Sequence, residues 1–246
     1  MRLTFLGTGA GNFRGGRRQM CSALFEGLLL DCGAGTTGRL YDAGLIDGVD
    51  GILISHLHSD HIAGVFDFLL HMLITERKRP LTIVSPPGLS PILRAMNDAG
   101  AMVRDPADVY EFRLVEGLRP EVTIGPWRVQ SIPLDHSVYN IGYLLASDEG
   151  TLFYTGDTRQ PSAPEGLRAD FVIHESTYAD RNARWAHAFG HSTASQAAHA
   201  ATQMRARRLF LTHIGSEEGT EADILREVRA GFSESTVPED RSQYEL

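Results

Sequence analysis

A histidine-rich loop behind a short apolar segment is the feature that most constrains this chain. Residues 51–54 are typical of a buried strand, and His56, His58, Asp60 and His61 follow within a few positions. Loops that follow strands in α/β folds line the crevice where ligands bind. Imidazole and carboxylate groups are favoured zinc ligands. The pattern therefore predicts a metal-binding loop at a strand end, in preference to a polar loop with hydrogen-bonded histidines.

Three further candidate ligands lie behind apolar segments of the same kind. His136 follows residues 131–135, Asp157 follows residues 152–156, and His213 follows residues 209–212. Alone, each would be interpreted as an ordinary hydrogen-bonded polar residue. Their shared position at strand ends is what makes them candidates as a group.

Apolar periodicity predicts an α/β protein built from many short elements. The predicted strands span residues 2–6, 22–31, 51–54, 81–84, 110–114, 122–124, 127–132, 141–146, 151–154, 171–174 and 208–212. The predicted helices span residues 36–43, 62–75, 89–98, 193–204, with Ser192 or Thr193 as the cap, and 220–232. With no repeat or linker, we expect one domain over residues 1–246, made of two packed sheets flanked by helices. The polar tail after Ser233 is expected to be loosely held.

Composition and charge narrow the classes of function. Of the 246 residues, 42% are hydrophobic and 22% are charged, as in soluble globular proteins. No segment approaches the roughly 18 apolar residues that span a membrane, so we expect a cytoplasmic protein without membrane contact. Cys21 and Cys32 are expected to be buried thiols in a reducing compartment. The formal net charge of −8 argues against broad, nonspecific nucleic-acid binding.

The histidine-rich loop resembles the HxHxDH signature of the metallo-β-lactamase superfamily, and the later candidates match that superfamily's remaining ligand motifs in order. Within the superfamily the chain is most similar to ribonuclease Z. The supporting segments are Leu6-Gly7-Thr8-Gly9-Ala10-Gly11, Leu30-Asp31-Cys32-Gly33, Phe153-Tyr154-Thr155-Gly156-Asp157-Thr158, Ile173-His174-Glu175-Ser176-Thr177 and Gly190-His191-Ser192-Thr193. The resemblance implies an α/β fold of the αββα sandwich type, with two mixed sheets between helices.

The resemblance also implies a two-zinc centre, with manganese and iron as alternative metals. By this resemblance, one zinc is held by His56, His58 and His136, the other by Asp60, His61 and His213, and Asp157 bridges them. Asp60 would also orient the attacking hydroxide, and His191 would handle the proton of the leaving group. Relatives of this kind imply a homodimer.

Two departures weaken the transfer-RNA interpretation. Ribonuclease Z usually carries an arm that grips transfer RNA between the motifs of His136 and Asp157, but only twenty residues separate them here. The family also tends to continue its last motif as Thr-His-x-Ser-x-Arg-Tyr, whereas this chain reads Thr-His-Ile-Gly-Ser-Glu-Glu from Thr212. Neither departure touches the candidate ligands.

Several residues keep two interpretations. His191 is favoured over His187 as the catalytic histidine because Gly-His-Ser-Thr matches the family. His174 and Glu175 either orient a ligand or make ordinary hydrogen bonds. Asp31 either supports the metal site or serves a turn. The arginines of the loop after Gly11, which are Arg14, Arg17 and Arg18, are either solvated or contact substrate.

Three functions follow. The favoured function is a ribonuclease Z-like phosphodiesterase without the transfer-RNA arm, acting on a small phosphodiester or on RNA. An endoribonuclease that processes the 3′ end of transfer RNA is an alternative to it. The second is a small-molecule hydrolase of the same fold, such as a cyclic-nucleotide phosphodiesterase, an arylsulfatase or a lactonase. The third is a noncatalytic binding protein, which the complete ligand set disfavours.

Overall fold

The computed structural model describes residues 1–11, 19–102, 104–160, 164–215 and 220–246, and these residues form two seven-stranded sheets. The first sheet has the order β14-β1-β2-β3-β4-β5-β6, with β1 Arg2–Gly7, β2 Ser22–Phe25, β3 Leu28–Leu30, β4 Gly51–Leu53, β5 Leu81–Ser85, β6 Phe112–Glu116 and β14 Gln243–Glu245. The second has the order β13-β12-β11-β10-β9-β8-β7, with β7 Val122–Ile124, β8 Trp127–Leu134, β9 Asn140–Ser147, β10 Gly150–Tyr154, β11 Phe171–Glu175, β12 Arg208–Thr212 and β13 Ser235–Thr236.

The core between the sheets follows from strand alternation. Leu28 and Leu30 of β3 point into the layer between the sheets, whereas Leu29 points to the helices outside. Successive side chains of a strand face opposite sides of its sheet. All three leucines are buried, because both faces of this sheet are covered.

Helices cover the outer faces of both sheets. The structure has α1 Thr36–Asp42, α2 Ser59–Ile74, α3 Leu89–Asp98, α4 Ala183–Phe189, α5 Ala194–Gln203 and α6 Thr220–Gly231. The apolar side of α2 packs on the first sheet through Val65, Phe68 and Leu69. Small alanines let α5 lie close to the second sheet. The layer order is helix, sheet, sheet, helix, as predicted.

The parallel parts of the two sheets position the candidate site. In the first sheet β3, β4, β5 and β6 are parallel, and in the second β10, β11 and β12 are parallel. Parallel neighbours end at the same edge of a sheet. The loops that follow β4, β10 and β12 carry the histidine-rich segment, Asp157 and His213.

Three local predictions differ from the structure. Residues 22–31 form two antiparallel strands, because Glu26 and Gly27 adopt positive φ angles of 46° and 85° and turn the chain. The tail is not loose: β13 adds to the second sheet and β14 pairs with β1. The helix α4 was not predicted. No helix in the described ranges has the length and apolar character to cross a membrane.

Candidate metal centre

The loop after β4 carries four of the seven candidate ligands. It is held at its base by the amide of Ile141, which donates to the carbonyl of Ser55 at 2.8 Å. His58 has extended backbone angles and precedes the first turn of α2, which contains Asp60 and His61. Because the backbone changes from extended to helical within this segment, the four side chains do not lie on a single face of a helix.

Three imidazoles converge on one point. His56 Nε2 lies 2.9 Å from His58 Nδ1, which lies 3.4 Å from His136 Nε2. Three nitrogens at this separation cannot each carry a proton without repulsion. Their convergence is the geometry expected when lone pairs share one cation.

A second group gathers around Asp157. Its Oδ2 lies 3.4 Å from His61 Nε2, 3.2 Å from His213 Nε2 and 3.8 Å from His56 Nε2. Asp60 Oδ2 lies 3.4 Å from the same nitrogen of His213. Asp157 therefore lies between the two groups, where the resemblance expects a bridging carboxylate.

Four of the candidate histidine ligands donate a hydrogen bond from Nδ1, the ring nitrogen that faces away from the centre, to an acceptor in the protein. His56 Nδ1 donates to Ser55 Oγ at 3.0 Å, and His61 Nδ1 donates to Asp31 Oδ2 at 2.6 Å. His136 donates to the carbonyl of Gly190 at 2.7 Å, and His213 donates to Thr177 Oγ1 at 2.8 Å. Each bond leaves the other ring nitrogen, Nε2, unprotonated and facing the centre, which is how proteins orient metal-binding histidines.

Asp31 is the main support of this arrangement. Its carboxylate is buried and accepts hydrogen bonds from the Ser55 amide at 2.6 Å, the Ser55 hydroxyl at 2.7 Å, His61 at 2.6 Å and the Tyr154 hydroxyl at 2.5 Å. It has a φ of 54°, so the chain turns sharply after β3 to aim it inward. Both interpretations from the sequence hold, because Asp31 forms the turn and supports the site.

Electrostatics of the two groups differ. Burial lowers the pKa of His56, His58 and His136, which keeps these rings neutral and able to ligate. Burial also opposes charge on His61, but Asp157 and Asp31 outweigh it and raise its pKa well above the usual range. The carboxylates around His61 therefore attract positive charge to this side of the cleft, which a cation at Nε2 would supply without protonation of the ring.

His191 lies beside the two groups and is held by Glu175. Its Nδ1 donates to Glu175 Oε1 at 3.0 Å, and its ring lies 5.0 Å from that of His136 and 5.3 Å from that of His213. Burial would lower the pKa of His191, but the buried Glu175 carboxylate raises it to about 9. Glu175 thus orients His191, whereas His174 Nδ1 donates to the carbonyl of Glu175 at 2.6 Å.

Glycines allow the backbone to approach the Asp60 side of the cleft. A Cβ atom on Gly11 would collide with the Asp60 carboxylate, and one on Gly33 would collide with the Asp60 carbonyl. The loops after β1 and β3 therefore form a close-packed wall beside Asp60. The arginines Arg14, Arg17 and Arg18 lie outside the described residues.

The residues present fit a pair of divalent cations. Within the described ranges, His61 Nε2 and Asp157 Oδ1 are buried and have no hydrogen-bond partner. Burying such groups unpaired is costly, and a cation between the rings would satisfy both. The structure brings together all seven residues predicted from the sequence. Their side chains form three of the groups that could hold a metal: His56 with His58 and His136, His56 with His61 and Asp157, and Asp60 with His61 and His213.

The sequence assigned no supporting role to Ser55, Thr177 and Gly190, although Thr177 and Gly190 lie in segments that carry the family resemblance. Thr177 links Glu175 to His213, because its hydroxyl donates to Glu175 Oε2 at 2.7 Å and accepts from His213. Its position two residues beyond Glu175 gives no periodic or compositional signal. Only the pairing of β11 with β12 brings it beside His213.

Comparisons with known proteins agree with this geometry. The family model for the beta-lactamase superfamily domain matches residues 27–214. A ribonuclease Z from Salinibacter ruber is 31% identical, with 89% of this chain and 85% of the relative covered. One from Natronomonas pharaonis is 30% identical, with 98% and 96% covered. Both alignments, 274 and 299 positions long, exceed the 246 residues of this chain, so both relatives contain insertions.

A solved structure extends the likeness to three dimensions. The short form of human tRNase Z superposes with a TM-score of 0.81 at 26% identity, covering 100% of this chain and 99% of that one. The match runs through both sheets and through every strand end that carries a candidate ligand. This chain therefore belongs to the beta-lactamase superfamily and, within it, to the ribonuclease Z-like metal-dependent hydrolases.

Proposed function

We propose that this protein is a zinc-dependent phosphodiesterase that cleaves small or single-stranded phosphodiesters and processes precursor transfer RNA poorly. One observation carries the proposal: imidazole nitrogens and carboxylate oxygens converge around Asp157 next to a histidine, His191, that a buried carboxylate keeps oriented. Imidazole-rich sites with carboxylates suit zinc, although manganese and iron accept the same ligands.

His56, His58 and His136 would hold one ion, Asp60, His61 and His213 the other, and Asp157 both. When bound, such a pair of ions supplies Lewis acidity that stabilises charge on a phosphoryl oxygen and makes water more acidic.

The chain's own residues perform the remaining steps. Asp60 has a carboxylate that reaches the cleft surface and would orient the attacking water. The water would first lose one proton to solvent. As the oxygen of the resulting hydroxide bonds to phosphorus and the bond to the leaving oxygen breaks, His191 would donate the proton on Nε2 to the leaving oxygen. Its Nδ1 is occupied by Glu175, so the ring cannot turn away. This is general-acid catalysis.

Substrate size is inferred from what this chain lacks. The twenty residues between His136 and Asp157 are taken up by the β9–β10 hairpin and its flanks, which leaves no room there for an arm. A net charge of −8 supplies little attraction for the many phosphates of a folded RNA.

A second candidate is the hydrolysis of a small ester such as a cyclic nucleotide, an aryl sulfate or a lactone. The missing arm favours it, because a substrate of this size needs no distant contact.

The free thiols of Cys21 and Cys32 support a reducing compartment, which we propose to be the cytoplasm. Assembly as a homodimer remains a prediction.

A turnover panel on zinc-loaded protein tests the proposal. We expect hydrolysis of bis-p-nitrophenyl phosphate to exceed that of an aryl sulfate, a lactone and a cyclic nucleotide, with about two metal equivalents bound. In the Asp157→Ala variant, both metal content and rate should fall, because the shared ligand is lost. Protein that takes up no metal on reconstitution, or that prefers the lactone or sulfate, would contradict the proposal.

A further inference from the structure

Exposed hydrophobic side chains concentrate in two segments next to His136. Among the described residues, seven large hydrophobic side chains are exposed, and four of them flank this histidine: Val138, Tyr139, Trp185 and Phe189. Val138 and Tyr139 lie two and three positions after His136 in the chain. The others belong to α4, which ends at Gly190, the residue whose carbonyl accepts the hydrogen bond of His136.

Trp185 and Phe189 form a preformed stack. Their rings are 5.9 Å apart and nearly parallel, at 18°, and each is more than half exposed, at 53% and 54%. They lie one helical turn apart on α4, whose Ala186 is fully buried and anchors the helix to the protein. The Arg184 guanidinium lies 5.8 Å from the Trp185 ring. Two flat rings held in this way present an aromatic surface to solvent.

The position of the stack ties it to the metal centre. Phe189 precedes Gly190, where a positive φ of 84° ends the helix. A Cβ atom at Gly190 would lie only 2.7 Å from the Ser137 amide and 2.9 Å from His136 Nδ1, so the end of α4 is pressed against the loop that carries His136. His191 follows immediately. The helix that carries the stack therefore borders the loop of His136 and leads directly into His191.

We propose that the Trp185–Phe189 stack binds a nucleobase next to the scissile phosphate, so that the substrates are nucleoside phosphodiesters. Single-stranded nucleic acids gain affinity by stacking bases on aromatic rings and on arginine. A chain with net charge −8 gains little from extended phosphate contacts, and stacking supplies binding that does not depend on charge. The inference rests on the proposed function, since it names the substrate class of that site.

Two esters that share one leaving group test this assignment. Thymidine 5′-(p-nitrophenyl phosphate) carries a nucleoside whose base can stack, whereas methyl p-nitrophenyl phosphate carries a methyl group in its place. In Trp185→Ala, KM for the thymidine ester should rise more than KM for the methyl ester, by about 5- to 150-fold in the ratio, the range expected for one stacked base. Trp185→Phe should restore most of the difference. Tyr41→Ala, which removes an exposed ring from α1, is the matched control.

A binding measurement separates this inference from the proposed function. Trp185 is the exposed one of the two tryptophans, since Trp127 is 3% exposed, so thymidine 5′-monophosphate should quench the fluorescence of the parent protein saturably. Ribose 5-phosphate should not, and Trp185→Phe should lose the quenching. If neither ester is hydrolysed, the proposed function fails, while selective quenching still upholds the stack.

Three results would overturn the assignment. The first is an unchanged KM ratio in Trp185→Ala. The second is equal binding of ribose 5-phosphate and thymidine 5′-monophosphate. The third is a Trp185→Ala variant that changes from dimer to monomer in sedimentation while its nucleotide affinity, measured by calorimetry, is unchanged. That result would assign the stack to a subunit interface.

Discussion

Asp31 shows how one buried side chain organises a metal site without touching the metals. All four groups around its carboxylate are hydrogen-bond donors: the amide and hydroxyl of Ser55, His61 Nδ1 and the Tyr154 hydroxyl. Only an ionised carboxylate can accept from all of them. Through Ser55 it also sets the proton of His56, so two rings in different ligand groups depend on it.

We therefore expect Asp31→Asn to disturb the metal centre. The amide NH2 of asparagine would face donors, leaving buried groups unpaired at a cost of about 1–3 kcal/mol in unfolding free energy. Zinc affinity should fall by about 10–100-fold, the usual effect of losing a residue that orients a ligand. Chelator competition measures it, with the exposed Asp42→Asn as control. A destabilised variant with unchanged zinc affinity would limit Asp31 to a role in folding.

His191 makes a separate prediction, because it lies outside the candidate ligand set. His191→Ala should keep its metals and lose about 10²–10⁴-fold in rate on a substrate whose leaving group needs a proton. The loss should be smaller for a p-nitrophenyl ester, whose leaving group departs as a stable anion. The comparison is thymidine 5′-(p-nitrophenyl phosphate) against the dinucleotide TpT.

The exposed His187 of α4 provides the control, since His187→Ala removes an imidazole four residues away. Equal rate losses on the two substrates in His191→Ala, at matched zinc content, would show that His191 only positions substrate or supports the fold.

The candidate ligands were predictable from the sequence because the signal is local. His56, His58, Asp60 and His61 lie within one loop, and the remaining ligands each follow an apolar strand. The supporting residues were not predictable in the same way. Thr177 and Gly190 matter only because pairing of β11 with β12 and the end of α4 bring them beside His213 and His136.

Among the elements, the C-terminal segment is the clearest departure from the sequence prediction. Its polarity suggested a loose tail, yet β14 pairs with β1 and Tyr244 packs edge-on to Phe5 at 5.9 Å. A short strand at the edge of a sheet buries few side chains, so the composition of the segment gives little sign of it. The helix α4 escaped prediction for a related reason, since it is short and leaves its aromatic residues exposed.

Asp240 connects this segment to the glycine-rich loop near the metal centre. Its carboxylate accepts from the Thr8 amide at 3.0 Å, the Thr8 hydroxyl at 2.8 Å and the Gln19 amide at 2.7 Å. Asp240→Ala should lower the free energy of unfolding by about 1–3 kcal/mol, because donors lose their acceptor. Urea unfolding measures the change, and Asp148→Ala in the exposed β9–β10 turn is the control. Equal stability of the two variants would mean that solvent replaces Asp240 fully.

At the scale of the whole molecule, the two sheets divide the work of building the site. The first sheet supplies the histidine-rich loop and Asp31, and the second supplies His136, Asp157, Glu175 and His213. Tyr143 of the second sheet donates to the carbonyl of Ile54 in the first at 2.7 Å, directly behind the ligand loop. Neither sheet holds a complete ligand group alone, so the metal centre depends on the packing between them.

The net charge governs how the whole molecule meets its substrate. A protein that makes 6–10 phosphate contacts loses about 10³–10⁵ in affinity between about 50 and 200 mM salt. With a net charge of −8 and no inserted arm in the β9–β10 region, this chain should make few such contacts. We expect kcat/KM for thymidine 5′-(p-nitrophenyl phosphate) to change less than about tenfold over that salt range.

Precursor transfer RNA should be cleaved poorly over the whole of the same salt range. Efficient, site-specific cleavage of precursor transfer RNA that falls steeply with salt would show instead that a basic surface grips the RNA, and Arg14, Arg17 and Arg18 would be the first residues to replace.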